Sequence, residues 1–143
     1  YARGAVDAWS IWDPFFAIAE QSPKGARALP IDRSVSQQNS FFLANRAFTA
    51  KYPSLVQAVN EEIGATTAWA AGHRGEVAAL YAEASGVALA AQQKAVERAE
   101  FTFGPLSDAV IAQQQAVADR FHSIGLIPKP IVVRDIVWSG KAA

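Results

Sequence analysis

Apolar positions along this chain change their spacing near residue 45. Before it they run together or alternate, as in strands; after it they recur every three or four residues, as in helices. Residues 5–13, AVDAWSIWD, are rich in Val, Ile and Trp and predict a strand ending at Pro14, which cannot donate to a ladder. Pro14 suits the first turn of a helix over PFFAIAEQ, with Asp13 as its N-cap. Residues 26–31 predict a second short strand and residues 40–44, SFFLA, a third, with a polar stretch over 32–39 between them.

Five helices are predicted after that. The first covers residues 45–52, capped by Asn45, and Pro53 opens a longer one to about Ala71 with Val56, Val59, Ile63 and Ala70 at helical spacing. Gly72-His73-Arg74-Gly75 breaks it. Residues 76–84 form the next, with Val77, Leu80, Tyr81 and Ala84 on one side and Gly86 beyond its end. Residues 89–100 follow. Pro105 starts the last, which carries Leu106, Val110, Val117, Phe121 and Ile124 and stops at Gly125. A short apolar segment, residues 131–138, closes the chain.

The layout is lopsided. A run as apolar as residues 6–12 is that of a strand buried on both faces of a parallel sheet, and such a strand needs neighbours that this sequence barely supplies. The chain is therefore expected to be part of a longer protein. Composition supports a packed core: of 143 residues, 51% are hydrophobic and 18% charged, which argues against disorder. Lys plus Arg equals Asp plus Glu at 13 each, so there is no electrostatic reason to expect nucleic acid. The absence of cysteine removes thiolate catalysis, Cys-based zinc sites and iron–sulfur clusters.

Three segments carry a family resemblance: GAVDAWSIWDPFFAIAE (4–20), SFFLANRAFTAKYPSLVQA (40–58) and VADRFHSIGLIPKPIVVRDIVW (117–138). In this order and spacing they resemble the substrate-binding proteins of aliphatic-sulfonate ABC importers, with nitrate, taurine and vitamin-precursor binders as cousins. The resemblance implies an α/β fold of two lobes, type II periplasmic-binding-protein-like, of which this helix-dominated chain is the C-terminal half. Residues 1–33 would end the second lobe, 34–44 would be the crossover strand at the hinge, and 45–143 the helical C-terminal part of the first lobe. It also implies a periplasmic or extracytoplasmic location, a membrane permease as partner, and capture of a small organic anion such as an alkanesulfonate in the cleft. A buried sulfonate needs N–H, hydroxyl or helix N-terminal donors, with aromatic walls for its alkyl part.

On that resemblance Trp12, one residue before the Asp-Pro step, is the candidate ligand wall. Alternation along a regular strand puts Trp9 on the opposite face, where core packing is its simpler role, and it is retained as a further candidate contact. Asp13 is a candidate ligand contact, but helix capping is its simpler role, since a carboxylate repels a sulfonate unless the ligand also carries a cation. Asp7 reads as a strand-start hydrogen-bonder. Gln37, Gln38, Asn39 and Ser40 are polar residues at the presumed crossover that either reach the cleft or solvate a loop, and Ser40 is retained as a candidate contact. Phe41 and Phe42 are expected in the core. His73 and His122 lie far apart without carboxylates at metal-ligand spacing, so no metal site or cofactor is expected. Ser10 lacks a GxSxG setting, and no catalytic residue is assigned. Lys129 and Arg134 read as surface charges.

Two other functions compete. One is an enzyme on the same fold, of the desulfinase or pyrimidine-precursor type, with its catalytic residues in the part not represented here. The other is a helical interaction module, against which the apolar run at 6–12 argues. A chain lacking its sheet neighbours is expected to self-associate.

Overall fold

The computed structural model describes residues 3–23, 25–32 and 39–140. Six α-helices follow one another: α1 Phe15–Gln21, α2 Arg46–Lys51, α3 Pro53–Gly72, α4 Arg74–Ser85, α5 Leu89–Arg98 and α6 Asp108–Ser123, with a 3₁₀ turn at Val133–Ile136. Each falls where the periodicity places a helix, to within a few residues. Only His73, rather than the whole Gly-His-Arg-Gly run, separates α3 from α4. The residues form two compact units. One takes the described residues of Tyr1–Ser36 and Ala65–Thr102; the other takes those of Gln37–Gly64 and Phe103–Ala143.

The three predicted strands are absent as paired elements. Residues 5–13, 26–31 and 40–44 are non-helical and belong to no ladder among the described residues. The physical reason is that a strand exists through a partner that receives its N–H and C=O groups. With no pairing strand among the described residues, much of the apolar run is exposed: Val6 is 48%, Trp9 49% and Trp12 68% accessible.

In the first unit α4 and α5 form a hairpin across Gly86-Val87-Ala88, and α1 packs on α5. Gly86 sits at φ 70°, the left-handed C-cap of α4 that L side chains disfavour. The contact layer is built from small residues. Ala70, Val77, Ala78 and Val96 make a buried cluster with Phe101 against it, and Ala17 of α1 and Ala91 of α5 are buried too. Small side chains let the helices approach closely but remove little apolar area. The face expected to be buried on α4 is only partly so, since Leu80 and Tyr81 are exposed while Val77 and Ala78 face inward.

Hydrogen bonds fix the hairpin's ends. Arg74, at the start of α4, donates to the carbonyls of Val96, Glu97 and Ala99 at the end of α5, which places the two helices antiparallel. At the other end the Gln92 amide, only 4% exposed, donates to Ser85 Oγ at 3.0 Å. Ser85 Oγ in turn donates to the Tyr81 carbonyl.

In the second unit Asn45 caps α2, its Oδ1 accepting from the N–H groups of Ala47 (2.9 Å) and Phe48 (3.3 Å). Ser107 caps α6 through the N–H of Val110. The far end of α6 is a complete Schellman motif. Leu126 N–H donates to the Phe121 carbonyl at 2.9 Å, Gly125 N–H donates to that of His122 at 3.0 Å, and Gly125 takes φ 75°. Gln115 of α6 holds the returning tail: its Nε2 donates to the Ile131 carbonyl and its Oε1 accepts from Val133 N–H, both at 2.8 Å. Phe42, expected in the core, is 68% exposed and meets Phe103 edge-on at 5.8 Å. Its segment has no sheet to lie in.

Candidate functional site

The first unit carries the Trp12-Asp13-Pro14 turn, and local chemistry explains its shape. The Trp12 carbonyl accepts from Phe16 N–H at 3.2 Å and the Pro14 carbonyl from Ile18 N–H at 3.0 Å. Asp13 Oδ1 accepts from Ala17 N–H at 3.1 Å, so its carboxylate satisfies a donor of the first turn of α1, although the N-cap position falls on Pro14, one residue later than the sequence placed it. The Asp13–Pro14 peptide bond is cis. The Trp12 indole meets the edge of Phe15 at 6.3 Å and otherwise faces solvent.

Behind the turn, Arg98 organises α1. Its Nη1 lies 3.4 Å from both Asp13 carboxylate oxygens and its Nη2 donates to Glu20 Oε2. The same guanidinium lies 4.7 Å from the Phe16 ring centroid. Glu20's hydrogen bond raises the Arg98 pKa above the ordinary arginine value; partial burial opposes this, and the charge of Asp13 adds to it. Between α1, α4 and α5 an open hollow of about 280 Å³ is bordered by Asp13, Pro14, Tyr81, Gln92 and Phe101, mostly apolar with one carboxylate at its rim.

Trp12 and Asp13 are thus adjacent at an exposed turn. Trp9, half exposed, precedes them in the same unit, and Asp7 is exposed. Ser40 is exposed and belongs to the second unit, as does Asn39, whose amide donates to Gln113 Oε1 at 3.2 Å. Gln37 and Gln38, and the first part of the expected crossover, lie outside the described residues. His73 stacks on Trp69 with ring centroids 4.7 Å apart, and its Nδ1 lies 2.7 Å from the Trp69 carbonyl. His122 stands in the last turn of α6, and Arg134 donates to Asp108 Oδ1 at 2.6 Å. No group of three or more metal-ligating side chains occurs among the described residues. The arrangement offers an aromatic face beside a charge-compensated carboxylate, which suits contact with a small molecule.

Sequence reasoning missed Arg98, 85 residues from Asp13, and its partners Phe16 and Glu20. A signal was available on α1 alone. Asp13, Phe16 and Glu20 recur at helical spacing, so two carboxylates and one ring share a face that a single cation can bridge.

No family model matches the chain. Curated relatives do. An aliphatic sulfonates-binding protein of Escherichia coli (strain K12) is 31% identical over 139 residues, 96% of this chain and 43% of that protein. One of Bacillus subtilis (strain 168) is 28% identical over 138 residues, 96% of this chain and 41% of that protein. Both carry the name of a binding protein rather than an enzyme. Among solved structures, the periplasmic aliphatic sulphonate binding protein SsuA from Escherichia coli superposes with a TM-score of 0.85 at 28% identity, covering 100% of this chain and 46% of that one. The chain spans less than half the length of the relatives it matches, and across nearly all of its own length it is similar to aliphatic sulfonate-binding proteins.

Proposed function

We propose that this chain supplies the C-terminal portion of a periplasmic solute receptor, one that captures an aliphatic sulfonate or related small organic anion and delivers it to an ABC permease. The observation that carries this reading is the likeness of the whole chain, at TM-score 0.85, to a part of a periplasmic sulphonate-binding protein. On this reading residues 34–44 form the crossing segment between the lobes, and the described residues of 1–33 share their compact unit with 65–102 rather than standing apart from all of 45–143. Trp12 forms an apolar wall for the alkyl part of the ligand. Asp13 shapes the turn that presents it, with Trp9 and Ser40 as further contacts. The chemistry is capture: a closing cleft removes water from the anion and replaces it with fixed donors.

The test is a thermal-shift series on the intact gene product with alkanesulfonates, taurine, nitrate and pyrimidine precursors. A ligand at a hundred times its Kd should add about 2.7 kcal/mol to stability. An alkanesulfonate should raise the melting midpoint most. A midpoint that no anion in the series raises overturns the proposal.

A further inference from the structure

Resting on the reading of Trp12 and Asp13 as part of a sulfonate-receiving wall, we propose that Arg98 is a positioning residue. By compensating the charge beside Trp12, it also sets the preference for net-anionic over zwitterionic ligands.

The geometry assigns two tasks to one guanidinium. Arg98 is the last residue of α5, and it reaches both ends of α1 at once, contacting Asp13 before the first turn and Glu20 in the last. Its planar face covers Phe16 midway. A fork that grips two carboxylates and a ring fixes the orientation of α1, and with it the turn that carries Trp12.

The second task is electrostatic. Asp13 directly follows Trp12, so its charge acts on any group resting against that indole. With Arg98 in place, two carboxylates share one cation. Without it, both lose their counter-charge, and the local field at Trp12, set first by the adjacent Asp13, turns against a sulfonate anion. A zwitterion such as an aminoalkanesulfonate presents an ammonium that the exposed carboxylates attract, so the loss falls mainly on ligands of net negative charge.

The experiment measures dissociation constants of an alkanesulfonate and of taurine by calorimetry, at low and at high salt, for the intact gene product and its variants. Arg98→Gln should lower the preference for the alkanesulfonate over taurine by about tenfold at low salt, and by less at high salt. Arg98→Lys, which keeps the charge and loses the fork, should weaken both ligands while leaving their ratio near that of the parent. Glu20→Gln should move the ratio the other way, which keeps the idea testable if Arg98→Gln fails to fold. Equal losses for both ligands in Arg98→Gln, or an unchanged ratio in Glu20→Gln, would overturn the charge assignment and reduce Arg98 to a structural tie. A parent protein that binds neither ligand brings down the sulfonate reading itself, and this inference with it.

Discussion

Arg74 donates to the carbonyl oxygen of Ala99 across 3.0 Å, so the first residue of α4 caps the last turn of α5. The same guanidinium reaches the carbonyls of Val96 and Glu97 and lies 5.1 Å from the centroid of Phe101. A cation at a helix C-terminus satisfies orphan carbonyls and complements the helix dipole. Arg74→Met should therefore leave half-buried acceptors without a donor and destabilise the unit by about 1–3 kcal/mol. Arg74→Lys should recover part of the loss through its charge. Urea unfolding followed by circular dichroism gives the comparison, and a difference between Met and parent within error would remove Arg74 from the list of ties.

Gln92 and Ser85 form the buried polar contact at the opposite end of the hairpin. Ser85→Ala deprives a 4% exposed amide of its acceptor and should cost about 1–3 kcal/mol. Replacing both partners, Ser85→Ala with Gln92→Leu, removes the donor together with the acceptor and should restore most of the stability. The coupling from a double-mutant cycle should be clearly nonzero. Additive single losses would show that water serves Gln92 as well as the hydroxyl does.

Gly125 closes α6 at φ 75°, and a Cβ built there meets nothing within 4 Å. The cost of Gly125→Ala is then conformational rather than steric against neighbours, about 1 kcal/mol. Gly125→Asn should cost less, because asparagine tolerates the left-handed region. Thermal unfolding that ranks Gly, Asn and Ala in that order supports the Schellman assignment, and an alanine variant as stable as the parent contradicts it.

The helices were legible because their signals are local. Asn45, Pro53 and Gly125 mark ends through chemistry within a few residues, and the structure uses them at those ends, whereas the last helix starts at Asp108 behind its Ser107 cap rather than at Pro105. Residues 5–13 show the opposite case. Their composition reads as a buried strand, yet a ladder needs a partner, and the chain brings none to that segment among the described residues. Helical burial was only half legible for a related reason. Periodicity selects Leu80, Val117 and Phe121 as inward-facing, and all three are substantially exposed. Their apolar stripes are real, but burial depends on long-range packing that periodicity does not specify. The candidate site divides likewise: Asp13 as a cap is local chemistry, whereas its tie to Arg98 spans 85 residues and becomes visible only in the fold.

That surplus of exposed apolar surface leads to the last prediction. Large apolar side chains are exposed in both units, with Leu43 at 92% and Ile136 at 65% in one and Trp12 at 68% and Ile31 at 63% in the other. Apolar area in water is unfavourable by about 25 cal/mol per Å², so even partial burial between copies outweighs a modest association cost. These 143 residues, produced alone, should therefore self-associate, with a weight-average mass by light scattering that rises with concentration. Placing charges at Leu43 and Trp12, as Leu43→Glu with Trp12→Glu, should shift the sample toward monomer. A clean monomer mass at high concentration for the unaltered chain would contradict the argument, since the exposed side chains would then be covered within one copy.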